Sequence, residues 1–319
     1  MPYDFNTGGS NQITATELVV SMYDEVETGF YDALYPEILW RTVLPQESIK
    51  TNLNPGAQNY VYRSRDTKGI GQFVNGDPAN IPRVGQVVGQ VTVPILDAAV
   101  GATLTDSEAR RSQFALQTAL AQDYGEIMKK AAEYHIERTF FYGNAAVKFE
   151  SFLDYPTVTK TSVSSGIWDP AEPGQMVADI NAMLTEIWTG SKTIHLPDTI
   201  FLPPAQFSML TTAYVIGAAT AGVAISALEY VRKNNIYTAN TGKDLNIKSL
   251  RYLEGAGVEG ANRAIAMEWQ PRNYVMPFPM PYQLTQPVPI PLGVDMFAEY
   301  IFGSFNIRYP KAMIYSDGL

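Results

Sequence analysis

The feature that most constrains this chain is one unbroken helical pattern near its middle. Thr105-Asp106-Ser107-Glu108 has the form of a capping box, in which the threonine hydroxyl accepts from the Glu108 amide and the Glu108 carboxylate accepts from the Thr105 amide. Leu116, Leu120, Tyr124, Ile127, Ala131, Tyr134 and Arg138 follow at spacings of three and four, no proline intervenes, and Gly143-Asn144 supplies a stop. At about 1.5 Å per residue, a helix over 106–141 is a rod of roughly 54 Å. Helices of that length serve mainly as coiled coils, membrane spans or structural spines. The seam is too rich in alanine and too mixed for a strict heptad. No run reaches the roughly 18–20 apolar residues of a membrane span; the longest weakly polar stretch, 214–228, is too short and rich in Ala and Gly. A spine remains.

What flanks the spine is uneven. Residues 1–16 are rich in Asn, Thr, Gly and Ser, the composition of an arm that does not bury itself in its own subunit. Leu18, Val19, Met22, Val26, Phe30 and Leu34 then predict an amphipathic helix over 18–39, which fits a plain surface helix as well as a partner-binding arm. Tyr60-Val61-Tyr62 and Val87 to Val93 read as two strands, separated by the turn-formers Gly69, Gly71, Gly76, Asp77-Pro78 and Pro82. An isolated hairpin is marginal in water, so this excursion is expected to pack on something outside the subunit.

Beyond Gly143 the pattern is mixed. Val177, Ile180, Leu184 and Ile187 predict a helix over 175–188; Thr199-Ile200-Phe201-Leu202 predicts a buried strand stopped by Pro203-Pro204, with a helix from Ala205. A helix is expected over 225–233 and strands over 245–253, 263–269 and 295–302. Seven of the 21 prolines fall between Pro271 and Pro291, which keeps that segment extended. Helices and strands do not alternate, so the fold class is α+β.

Composition narrows the function. With 46% hydrophobic residues among 319, the chain can bury a sizeable core. Its 23 basic residues against 32 acidic ones give a net charge of -9, and no basic run exceeds Arg110-Arg111 or Lys129-Lys130. Tight clamping of nucleic-acid phosphates is therefore not expected. The absence of cysteine excludes disulfides and thiolate metal sites. Met1 to Thr16 lacks the basic and apolar segments of a signal peptide, so cytosol-like conditions are expected.

Candidate chemistry is sparse. Gly255-Ala256-Gly257-Val258-Glu259-Gly260 satisfies a dinucleotide-binding spacing after a plausible strand, but residues 264–269 read as strand where a helix should open, and no acidic residue lies between Glu268 and Asp295. A Gly-rich turn is the better reading. Thr241-Gly242-Lys243-Asp244 resembles the end of a phosphate-binding loop, yet Tyr237 stands where its first glycine belongs. The two histidines, His135 and His195, are far apart in sequence and read as structural. The carboxylates Asp24/Glu25 and Glu126/Glu133 read as solvated helix faces. The expectation is a non-enzyme with no catalytic, cofactor-binding or metal-binding residue.

The order of these elements, a polar arm, a strand excursion, a long helix, a mixed block and a strand-rich end, resembles the tailed-bacteriophage major capsid protein family, whose fold is shared with encapsulins and the herpesvirus capsid floor. The closing segment 302–319, with Arg308-Tyr309-Pro310 before a final apolar strand, is similar to a subfamily ending, as are Phe141-Tyr142-Gly143 and the 197–204 segment. The resemblance implies an N-terminal arm at 1–40, an E-loop at 45–97, a peripheral P-domain at 98–160 and 280–305, and an axial A-domain at 161–279 and 306–319. It implies self-assembly into hexamers and pentamers of an icosahedral phage head around double-stranded DNA, without sequence-specific binding and without a membrane. Portal and decoration proteins, and a separate scaffolding protein or none, are the further partners it implies. The location implied is the virion capsid, assembled in the host bacterial cytoplasm. An encapsulin-like compartment with enzyme cargo is the alternative. Some members weld subunits through Lys-Asn bonds; Lys68 lies in the E-loop, but no motif identifies its partner.

Overall fold

The computed structural model describes residues 36–69, 84–115, 120–163, 166–215 and 225–319. The helix expected over 18–39 lies outside these residues except for its last four, which are not helical. A short helix, α1 (Trp40–Val43), follows them and inserts Trp40 and Val43 into the core.

The capping box forms as the sequence predicts. The Glu108 amide donates to Thr105 Oγ1 at 3.3 Å and the Thr105 amide to Glu108 Oε2 at 3.1 Å. Helix α2 (Asp106–Ala115) starts there, and α3 (Leu120–Tyr142) carries the rest of the spine; the join between them, at 116–119, lies outside the described residues. The buried stripe of α3 differs from the expected seam. Met128, Ala132, Ile136 and Phe140 are buried at intervals of four, whereas Ile127 is 58% exposed and Ala131 and Arg138 face solvent. The side that α3 buries is set by strands from distant sequence, so periodicity finds the helix without finding its face.

Those strands form a five-stranded sheet. β3 (Gly85–Thr105) pairs along its first half with β2 (Asn59–Lys68) and along its second half with β13 (Gly293–Gly303), both antiparallel. β11 (Met280–Leu284) and β12 (Val288–Ile290) continue it on the far side of β13. The strand expected to end at Val93 thus runs on to Thr105. Pro94 marks the handover between partners: it has no amide hydrogen to place in a ladder, and its carbonyl accepts from Ser304 at 3.1 Å. One face of this sheet lies on α3, where the Tyr300 hydroxyl meets His135 Nδ1 at 2.7 Å and the Tyr282 hydroxyl donates to the Gly125 carbonyl at 3.1 Å.

A second five-stranded sheet has the order β4 (Thr159–Ser162), β15 (Met313–Asp317), β9 (Arg263–Met267), β5 (Thr199–Leu202), β8 (Asn246–Ser249). β15 runs parallel to β4 and β5 parallel to β8, while β9 is antiparallel to both of its neighbours. Side chains alternate across it as the pleat requires. Ile265, Met267, Phe201, Met313 and Tyr315 enter an aromatic-rich core with Phe140, Phe141, Phe152 and Phe305. Ala264, Ala266, Ile200, Leu202 and Ile314 enter a second core under α4 (Pro173–Gly190). Helices α5 (Pro204–Thr212), α6 (Ala227–Lys233) and α7 (Ile236–Thr241) complete that layer, with a small ladder between β6 (Tyr214–Val215) and β7 (Ile225–Ser226). β1 (Ile49–Lys50), β10 (Tyr274–Pro277) and β14 (Asn306–Ile307) form a three-stranded sheet beside the first core. The proline-rich 271–291 segment is extended, as expected.

At the end of the β9–β15 ladder sits a buried cation. Arg263 Nε and a terminal nitrogen donate to the two carboxylate oxygens of Asp317 at 2.6 and 2.7 Å, and the other terminal nitrogen donates to the Leu153 carbonyl at 2.6 Å. The bidentate pair ties β9 to β15, and the third bond ties both to the loop after α3.

Candidate functional site

The sequence motifs with chemical potential fall in structural places. Gly255 and Gly260 take positive φ values of 64° and 78° in a turn closed by the Gly257 amide on the Ala261 carbonyl at 2.8 Å. This turn leads into β9, not into a helix. A side chain at Gly257 would collide with the Asp317 carboxylate and the Ala261 carbonyl, so that glycine lets the turn close against the end of β15. Gly242 is the left-handed cap that ends α7, and its amide donates to the Thr238 carbonyl at 2.8 Å.

The histidines do not meet. His135 stands on α3 at the exposed margin of its contact with the first sheet, edge-on to Phe302, and partial desolvation there, with the nearby Arg138, holds its pKa below the ordinary value. His195 is buried, with Nδ1 2.6 Å from Glu268 Oε2; Glu268 also accepts from Arg272 and Asn273. Among the described residues, no group of three or more His, Asp or Glu is arranged to hold a metal ion. None of the described helices is long and apolar enough to cross a membrane.

An open groove of about 710 Å³ lies between the loop after α3 and the Gly255 turn, lined in part by Tyr142, Lys148, Glu150 and Asp154. Its best-placed acid is already engaged. Against partial desolvation, which acts upward, hydrogen bonds from Lys160 and Arg263 hold the Asp154 carboxyl below its ordinary range.

One reading of the sequence needs correction. Glu133 is not a solvated helix carboxylate: it accepts from the Trp40 indole at 3.1 Å and from the Arg41 guanidinium at 2.9 Å. One turn on, Glu137 Oε1 accepts from the Leu39 amide at 3.0 Å and from Arg251 at 3.1 Å, and the Tyr134 hydroxyl donates to the Pro36 carbonyl at 3.1 Å. Burial pushes the Glu137 carboxyl above its usual range, against the opposing pull of those donors. The segment that leads out of residues 1–35 is thereby fastened along α3. Its partners lie more than ninety residues away in sequence, and only the i,i+4 spacing of Glu133 and Glu137 hinted at a shared face.

The most distinctive surface is the outer part of the β2–β3 ladder. Among the described residues, the body holds its root, where the Tyr62 hydroxyl donates to Asn306 Oδ1 at 2.7 Å and Arg308 donates to the Tyr60 hydroxyl at 3.2 Å. From Arg63 to Lys68 every residue of β2 is exposed, as are its partners Gly85 to Val88 on β3. Val84, Val87 and Val88 are 68%, 50% and 58% exposed. Among the described residues none covers this outer ribbon on either face, an arrangement that suits contact with another surface.

Comparison with known proteins agrees with that geometry. A family model described as major capsid protein matches residues 69–319. No curated protein matches the chain in sequence. Among solved structures, the chain is similar to the capsid of Myoviridae phage XM1, with a TM-score of 0.75 and 14% identity over 97% of this chain and 100% of that one. It is also similar to the capsid of an empty GTA particle, with a TM-score of 0.62 and 9% identity over 96% and 97% of the two chains. A structure from Mycobacterium phage Ogopogo has a TM-score of 0.58 and 12% identity over 94% and 98%.

Proposed function

The chain belongs to the major capsid protein family, and from that premise we propose that it assembles with copies of itself into the hexamers and pentamers of an icosahedral phage head around double-stranded DNA. The observation that carries the proposal is the β2–β3 ribbon, ten paired residues long on β2 and uncovered by the described residues beyond its root. A repeated exposed ribbon gains its packing from the next subunit, and closed symmetric assembly satisfies every copy equally.

The domain layout follows the same reading. The ribbon corresponds to the E-loop at 45–97. Pairing of β13 with β3 joins 280–305 to the spine, which supports a P-domain made of 98–160 and 280–305. β15 lies between β4 and β9, which supports the return of 306–319 to an A-domain over 161–279. The arm at 1–40 enters along Glu133 and Glu137.

The role is structural rather than enzymatic. The net charge of -9 suits a container that holds and releases DNA without adhesive walls. Scaffolding, portal and decoration proteins are the further partners of such a shell, which assembles in the host cytoplasm and ends in the virion. The family match favours a phage head over an encapsulin-like compartment, and purified shells that contain DNA rather than an enzyme are the expected result. Electron microscopy of the purified protein tests the proposal: shells or capsomer rings are expected, and a chain that stays monomeric at high concentration, with and without scaffold, contradicts it.

A further inference from the structure

The β2–β3 ribbon leaves the body across a joint that its backbone ladders hold weakly. β3 is paired with β2 over 85–94 and with β13 over 95–105, on opposite edges, so no residue of β3 has a strand on both sides. One bond carries each ladder past the joint, from the Ile95 amide to the Gln58 carbonyl at 3.0 Å and from the Ser304 amide to the Pro94 carbonyl at 3.1 Å. Gly303 permits this approach, since a Cβ there would lie 2.9 Å from the Pro94 carbonyl oxygen. A lone pair of strands twists and bends readily. With ten residues on β2, the ribbon is a lever of roughly 33 Å, and a turn of about 10° at the joint moves its end by about 6 Å.

Side chains supply what the ladders lack. Tyr60 and Tyr62 share one face of β2 and are half-buried, whereas Val61 and Arg63 on the other face are exposed. The Asn306 amide accepts from the Tyr62 hydroxyl on Oδ1 at 2.7 Å and donates through Nδ2 to the hydroxyl of buried Tyr155 at 3.0 Å, so the ribbon is tied through β14 to the first core. Arg308 donates to the Tyr60 hydroxyl at 3.2 Å, and its guanidinium carbon lies 5.4 Å from the centre of the Tyr62 ring. Its own backbone is fixed, the Arg308 amide donating to the Asn273 carbonyl at 2.7 Å. Among the described residues Arg308 has no carboxylate partner, which leaves its guanidinium to the two tyrosines. Burial, and after it the neighbouring Tyr155, raises the Tyr62 phenol above its ordinary value, which keeps it the donor that Asn306 needs.

We propose that Asn306 and Arg308 are positioning residues that set the direction in which the ribbon leaves its own subunit, by latching Tyr62 and Tyr60 to the body across the Pro94–Ile95 joint. The Arg308-Tyr309-Pro310 motif thereby has a role in this chain: it carries the latching arginine, and Pro310 opens the turn that sends the chain into β15. Arginine suits the place because one planar group can donate to the hydroxyl of one ring while it lies on the face of the next. The latch works within one subunit, whatever surface the ribbon meets.

Distances between spin labels read the latch directly. The chain has no cysteine, so Thr67→Cys on the ribbon and Glu186→Cys on α4, both at exposed positions, give a single labelled pair in the isolated subunit. With the latch intact, one narrow distance is expected. Tyr60→Phe/Tyr62→Phe, which keeps both rings, and Arg308→Ala, which removes the guanidinium, are each expected to lose that narrow distance to a broad spread, while the unfolding temperature of the subunit stays close to that of the parent chain. A narrow, unmoved distance in either variant overturns the proposal, because the ladders alone then set the direction, and so does a broad spread with the latch intact. A broad spread accompanied by a large fall in unfolding temperature overturns it as well, since these side chains then serve the core. Shell formation does not enter the measurement, so each of these outcomes leaves the self-assembly reading untouched.

Discussion

The central sheet and the β2–β3 ribbon are built from similar material and sit in opposite circumstances. β9 is buried along its whole length, with Ile265 and Met267 in one core and Ala264 and Ala266 in the other. The outer part of the ribbon carries Arg63 and Arg65 on β2 and Val87 and Val88 on β3, yet the described residues cover it on neither side. A strand whose two faces are covered within the subunit contributes to the stability of that subunit. A strand covered on neither face contributes only when something else arrives, because apolar area stabilises by about 25 cal/mol per Å² only once it leaves water. One region stabilises the subunit and the other awaits the assembly.

Substitutions can break that division, and the largest effect belongs at the buried ion pair that closes the β9–β15 ladder. Arg263→Ala removes the counter-charge of a buried carboxylate and leaves Asp317 with the Val258 amide as its remaining donor among the described residues. A loss of about 3–5 kcal/mol in subunit stability is expected, read by denaturant unfolding. A loss under about 1 kcal/mol would mean that water solvates Asp317 and that the sheet is looser than its burial indicates.

The spine comes next. Ala131 lies inside α3 on its solvent side, so Ala131→Pro acts on the backbone rather than on packing. It removes an amide donor and crowds the preceding turn, costing about 3 kcal/mol or more. Loss of soluble subunit is the expected phenotype, and normal shells from this variant would show that α3 is not the element on which the first sheet rests.

A smaller effect is expected from acid. His135 has its pKa lowered by desolvation and by Arg138, so folding favours the neutral ring. Its contribution is complete above the ordinary histidine range and is lost as pH falls through the lowered value, because the unfolded chain takes up the proton first. The slope of unfolding free energy against pH in that window should flatten in His135→Gln. An unchanged slope would assign the acid sensitivity to another group.

How much of this was legible in sequence follows the same division. The strand 199–202 was readable to the residue because β-branched and aromatic positions end abruptly at Pro203-Pro204. The start of the spine was readable because a capping box is a local arrangement. The buried stripe of α3 was not, since Met128 and Ile136 face strands distant in sequence, and Ile127, equally apolar, faces water. Nor was the role of Glu133, whose donors Trp40 and Arg41 lie ninety-odd residues away. The reach of β3 to Thr105 was hidden because Ala98, Ala99, Gly101 and Ala102 carry no strand signal of their own and become a strand by pairing with β13. The two strands of the ribbon were legible from Tyr60 to Tyr62 and Val87 to Val93, whereas the turn-formers Gly71, Gly76, Asp77-Pro78 and Pro82 lie outside the described residues.

The smallest expected effect on the subunit is also the most direct test of the account. Replacing residues 66–84 by a short Gly-Ser turn shortens the ribbon and removes no described residue of either core. Thermal unfolding of the isolated subunit and the yield of shells, measured on the same preparation, are the readings that decide. The account predicts an unfolding temperature close to that of the parent chain, with shell formation abolished or greatly weakened. A subunit that unfolds at a much lower temperature, while the shells it still forms are as robust as the parent's, would place the ribbon in the core of its own subunit and contradict the account.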